Sequence, residues 1–131
     1  MKAKLDKQID KAFLKEKSKL VEPKDVDKLY KKRNRLKRIL NLKVFSKQKD
    51  KLKLLLELTG QYKNGKYRNI PWRSMAAITF TLLYIINPLD IIPDVLPVIG
   101  YVDDMSVFMA LYNLIDKDIE DYKDWKSLQD I

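Results

Sequence analysis

Residues 71–86 read PWRSMAAITFTLLYII, and from Ser74 to Ile86 not one of the thirteen residues is charged. An amphipathic helix shows apolar side chains at three- and four-residue steps. This stretch shows them at nearly every step, so a helix here must be enclosed on all faces, by protein or by lipid. Pro71 suits the first turn of such a helix. Thirteen residues at about 1.5 Å each reach roughly 20 Å, short of a hydrocarbon layer of about 30 Å. The stretch therefore predicts the inner helix of a bundle and not a comfortable membrane span.

Working upstream, Leu5, Ile9, Ala12, Phe13 and Leu20 follow helical spacing and mark a first amphipathic helix. EPKD at 22–25 interrupts it. Pro23 is placed to open a second helix whose buried stripe is Val26, Leu29, Tyr30, Leu36, Ile39 and Leu40. Ser46 is expected to cap a third helix running to about Lys63, with Leu52, Leu55, Leu56, Thr59 and Tyr62 on one side and Gly65 as terminator. Downstream, a last helix is expected over 103–125. Val102, Met105, Met109, Tyr112, Ile119 and Tyr122 form one face, widened by Val107, Phe108, Leu111, Leu114 and Ile115. Met105 and Met109 read as core filler. The sum is an all-α protein: an antiparallel helical bundle of about five helices, with a Pro/Asp-rich kinked segment between the last two. Helix one is expected to pack on this bundle or on a second copy of the chain, and a homo-oligomer is among the expected states. Residues 1–45 form a basic amphipathic helical extension and residues 46–131 the helical domain.

The 131 residues contain no cysteine and no histidine. Disulfides, thiolate chemistry and any Ser-His or Cys-His pair are thereby excluded, and the commonest zinc ligand and general base are missing. The start, MKAKLDKQIDKAF, lacks the apolar core of a secretory signal, so a cytoplasmic location is expected. The formal charge of +9 conceals a division. Residues 1–73 carry 24 Lys/Arg against 8 Asp/Glu, and residues 74–131 carry 3 against 10. The halves should attract one another, and the basic half should meet a polyanion or an anionic membrane. Its densest run contains Lys31, Lys32, Arg33, Arg35, Lys37 and Arg38. These lie largely on the solvated side of the second helix without interleaved aromatics, which makes nucleic acid the lesser expectation.

Between the two apolar helices stands NPLDIIPDVLPVIGYVDD, residues 87–104. Pro88 and Pro93 suit helix starts and would break a helix interior. Asp90, Asp94, Asp103 and Asp104 then fall near helix N-termini, where free N–H groups and the helix dipole favour a carboxylate. Capping explains an acid at each start. It leaves unexplained why no basic residue occurs between Arg73 and Lys117. The four carboxylates need a counter-charge, and three sources are open: Arg68 or Arg73, with Arg73 preferred, the lysine-rich helices folding over, or a divalent cation held by the four aspartates as hard oxygen ligands. No other cofactor is expected.

Residues 62–125 resemble the YkvA family, domain of unknown function 1232. The resemblance rests on Pro88, Asp90, Pro93, Asp94, Pro97, Gly100, Asp103 and Asp104, with Asn87 where the family often has Ser. A Tyr…Pro-Trp element precedes the motif and a Tyr…Trp element follows it. The resemblance makes residues 46–131 a YkvA-like helical domain. It implies a helical, often membrane-associated protein of bacteria, archaea and some eukaryotic membranes, with no established activity. The function expected is a non-enzymatic binding or adaptor protein acting at the cytoplasmic face of a membrane, as a peripheral protein, or on a protein partner. The alternatives are a divalent-metal-dependent hydrolase using the aspartates, and a nucleic-acid-binding protein using the basic helices.

Overall fold

The computed structural model describes residues 12–43, 46–86 and 104–129. Among them are seven helices and no strand: α1 (12–18), α2 (Pro23–Lys31), α3 (Arg33–Leu40), α4 (Lys49–Lys63), α5 (Trp72–Ile86), α6 (Asp104–Leu114) and α7 (Asp116–Gln129). The all-α class is as the sequence indicates. The Pro/Asp-rich segment, Leu5, Ile9 and Val102, and the side chains of Met105 and Val107, lie outside the described residues.

The stretch around which the sequence turns is the centre of the fold. Every residue of α5 from Ser74 to Ile86 is buried, and α2, α3, α4 and α6 all pack against it. Its enclosure is by protein. Of the hydroxyls it carries, Thr79 Oγ1 donates to the Met75 carbonyl at 2.8 Å and Ser74 Oγ to Asp118 Oδ2 at 2.5 Å, while Thr81 Oγ1 is buried without a partner among the described residues. Pro71 sits just before the helix, where its carbonyl accepts the Ser74 and Met75 amides at 3.0 and 3.1 Å.

Local chemistry sets several ends. Pro23 is the first residue of α2, and the Glu22 amide donates to Asp25 Oδ2 at 2.8 Å, a bond from the first-turn carboxylate back to the cap. α4 stops as the glycine predicts. Gly65 takes φ +78°, the Lys66 amide reaches back to the Gln61 carbonyl at 3.0 Å and the Gly65 amide to the Tyr62 carbonyl at 3.1 Å, the paired bonds of a Schellman motif.

The helix count exceeds the expected five because two of the expected helices are each broken once. The second divides at Lys32 (φ −94°, ψ 10°) into α2 and α3. Arg33 stands where the buried line Val26, Leu29, Leu36, Leu40 would need an apolar residue, and its Nη1 instead donates to the Tyr30 carbonyl at 2.9 Å. The last helix divides at Ile115 and runs on to Gln129. Its inward line is Phe108, Leu111, Ile115, Ile119 and Tyr122.

Three side-chain expectations are overturned. Met109 is 37% exposed and is not core filler, because it stands about 100° round the helix from Phe108. Leu20 is 62% exposed: α1 has already ended at residue 18, and the turn hands its buried position to Val21. Ser46 caps nothing; its amide closes a turn onto the Lys43 carbonyl at 3.1 Å, and α4 begins after Gln48. Helix one does pack on the bundle. The Phe13 ring meets Phe80 and Tyr84 edge-on at 5.6 and 6.0 Å.

Candidate functional site

The family-motif residues Pro88, Asp90, Pro93, Asp94, Pro97, Gly100 and Asp103 lie outside the described residues. Asp104 opens α6, and its side chain lies outside them as well. Their proposed partners are placed. Arg68 is exposed, with its guanidinium 4.3 Å from the centre of the Tyr62 ring. Arg73 is exposed on the first turn of α5. Neither arginine forms an ion pair among the described residues.

Arg73 belongs to a different assembly. Around the start of α5, the end of α1 and the α6–α7 corner enclose a cleft of about 590 Å³. Its wall is apolar, from Ala76, Ala77, Leu114 and Ile115, and its rim is cationic, from Lys15, Lys19 and Arg73. Trp72 and Leu114 remain 37% and 38% exposed at its edge. Asp118 is the acidic residue lining it, and this carboxylate accepts the Ser74 hydroxyl. Local rules explain the placement. Trp72 and Arg73 fall in the first turn of α5, before the enclosed run begins, and Lys15 and Lys19 are one turn apart at the end of α1.

Within the cleft the Ser74 hydroxyl is committed to Asp118 Oδ2, and no histidine is at hand to activate it. What the cleft offers is a flat amphipathic ring with an apolar body and three cations within one rim, the combination that sits at a membrane–water boundary beside anionic headgroups.

Among the described residues, the acids of the C-terminal helix form no ion pair with the basic helices, the pairing that the charge division suggests. The cross-connection among the described ion pairs runs the other way, from Lys126 of α7 to Glu57 of α4 at 3.0 Å. Both side chains are more than a third exposed, so this pair contributes little. The firmer join is aromatic. Tyr67 packs on Tyr122 and Trp125 with centroids 5.0 Å away in each case, and Tyr122 stacks on Trp125 at 5.8 Å. Burial pushes the Tyr122 phenol up, helped by the nearby Glu57 carboxylate, and burial likewise raises Tyr67 beside Asp121 and Asp118. Tyr112 is raised by burial with Glu120 and Asp116, while the Lys51 ammonium lies 4.9 Å from its ring.

Among the six residues of the basic run, Lys31, Arg35, Lys37 and Arg38 are exposed, while Lys32 and Arg33 are half-buried. The sequence places Trp72 just ahead of the enclosed run but gives no sign that Lys15, Lys19, Leu114 and Asp118 are its neighbours. They come from three helices, and only the packing around α5 brings them together.

The architecture and this edge define a class: a helical bundle wrapped round one short, fully apolar helix, with an aromatic and cationic cleft at that helix's start. Among the described residues, no helix is long and apolar enough to cross a membrane. Residues 74–110 match the family described as "Protein of unknown function (DUF1232)". The chain is also 32% identical to the "Uncharacterized membrane protein YkvA" of Bacillus subtilis (strain 168), with 64% of this chain aligned to 85% of that protein. No solved structure matches it. The chain belongs to the YkvA, or DUF1232, family.

Proposed function

We propose that this protein is a non-enzymatic binding protein that attaches peripherally to an anionic membrane surface through the cleft at the start of α5. The carrying observation is the juxtaposition of exposed Trp72 and Leu114 with Lys15, Lys19 and Arg73 around one opening. The membrane-protein name of the Bacillus relative is in keeping with this reading, and α5 is enclosed by other helices instead of lipid. The cytoplasmic leaflet carries the anionic lipid such a cleft would meet. A divalent-metal hydrolase would depend on aspartates outside the described residues, and in the cleft the Ser74 hydroxyl is bound to Asp118 with no histidine to activate it.

Flotation with phosphatidylglycerol-containing and purely zwitterionic vesicles tests the reading. The protein is expected to float with the anionic vesicles at low salt and to be released at high salt, because exposed charges are screened there. The triple variant Lys15→Gln/Lys19→Gln/Arg73→Gln is expected to bind about a hundredfold more weakly. Failure to float at low salt, or flotation equal with both lipids, would reject the reading.

A further inference from the structure

A second concavity lies between the faces of α3 and α4, separate from the Trp72 cleft and sharing no residue with it. Arg33 and Lys37 on α3 and Asn41 at its C-cap stand at four-residue steps, and Lys53, Glu57 and Gln61 at four-residue steps on α4, around a cavity of about 640 Å³. That volume is of the order of small-molecule sites. Three of those six residues are cations, and the acid among them, Glu57, already has Lys126 at 3.0 Å.

Arg33 is held in place. The Tyr30 ring carries the Arg33 guanidinium 4.2 Å from its centre and the Lys63 ammonium at 4.8 Å. Arg33 spends one N–H on the Tyr30 carbonyl and keeps its remaining donors. Gly60 lets the ring lie against α4: a Cβ there would be 3.1 Å from Tyr30 Cε1. Finally, Gln61 Oε1 is buried without a hydrogen-bond partner among the described residues, a condition a native structure normally avoids.

We infer that this groove binds a small soluble phosphate-bearing ligand of the nucleotide or sugar-phosphate class. Its phosphates meet Arg33, Lys37 and Lys53, and a hydroxyl or amine of its polar body satisfies the Gln61 carboxamide. A planar guanidinium beside ammonium groups suits phosphate oxygens.

Calorimetric titration at low ionic strength, with inorganic pyrophosphate and with adenosine diphosphate as probes, tests this, backed by amide shifts of Gly60 and Gln61. Both probes are expected to bind and to move those amides. Arg33→Gln/Lys37→Gln should weaken both by about tenfold or more. Lys53→Gln, which touches neither Tyr30 nor the core, should weaken both as well. The pair Lys117→Gln/Lys123→Gln, which removes equal charge on α7 away from both clefts, should leave both unchanged, and Gln61→Leu should weaken the diphosphate more than pyrophosphate. Glycerophosphoglycerol, a headgroup without its chains, separates a lipid source from a soluble one. No binding by the full chain, equal losses in the two charge pairs, or binding of glycerophosphoglycerol alone would overturn the inference.

Discussion

Gly65 is in the left-handed region at φ +78°, and nothing lies within 4 Å of where a Cβ would be. Its requirement is therefore backbone conformation alone, and Gly65→Ala should cost roughly 1–2 kcal/mol, read as a lower urea midpoint with an unchanged slope. Tyr122 makes a different test. Its phenol is raised above the ordinary value by burial and then by Glu57, so the folded state holds the proton more tightly than the unfolded chain. Stability from this group is complete below the unfolded value of about pH 10 and falls as pH rises through the folded value. The urea midpoint should drop between about pH 9 and about pH 11, and Tyr122→Phe should flatten that drop. An identical slope in the variant would show that other groups carry the alkaline loss. The turn at Gly65 was legible in the sequence because glycine has a single local reason to be there. Burial of Tyr122 was legible as one position on a stripe; its raised phenol was not, since Glu57 arrives from another helix.

At the scale of elements, α5 explains most of what the sequence revealed. A run that is apolar on every face has one solution in a bundle, so its burial followed from composition alone. The breaks at Lys32 and Ile115 were not legible. The Leu36 amide still reaches the Lys32 carbonyl at 3.1 Å and the Ile119 amide the Ile115 carbonyl at 3.0 Å, so the buried stripe continues across each break in nearly the same phase. Periodicity records a face and is blind to a turn that preserves it. Met109 failed for a related reason: an apolar side chain beside a buried line can lie on its solvent side. The join between α1 and α5 gives the prediction at this scale. Phe80 is fully enclosed and meets Phe13 edge-on, so Phe80→Ala should cost about 3–5 kcal/mol. A double-mutant cycle with Phe13→Ala should return a coupling of about 0.5–1.5 kcal/mol, and additive losses would place α1 outside the cooperative core.

For the whole molecule, the sequence's charge division set an expectation that the packing redirects. The acids of α7 surround raised tyrosines and a serine hydroxyl more than they pair with the basic helices, and many cations of the first half stay at the surface. Three of them ring the Trp72 cleft. Peripheral attachment through that cleft makes a claim about one tryptophan, because Trp125 is packed against Tyr67 and Tyr122 while Trp72 stands at the edge. The direct measurement is fluorescence of the Trp125→Phe protein, whose remaining tryptophan is Trp72, mixed with phosphatidylglycerol vesicles bearing brominated acyl chains. Attachment through the cleft predicts a blue shift and quenching at low salt, both reversed at about 1 M salt, where screening acts over roughly 3 Å. Vesicle binding that leaves Trp72 unquenched, or quenching that survives the salt, would contradict it.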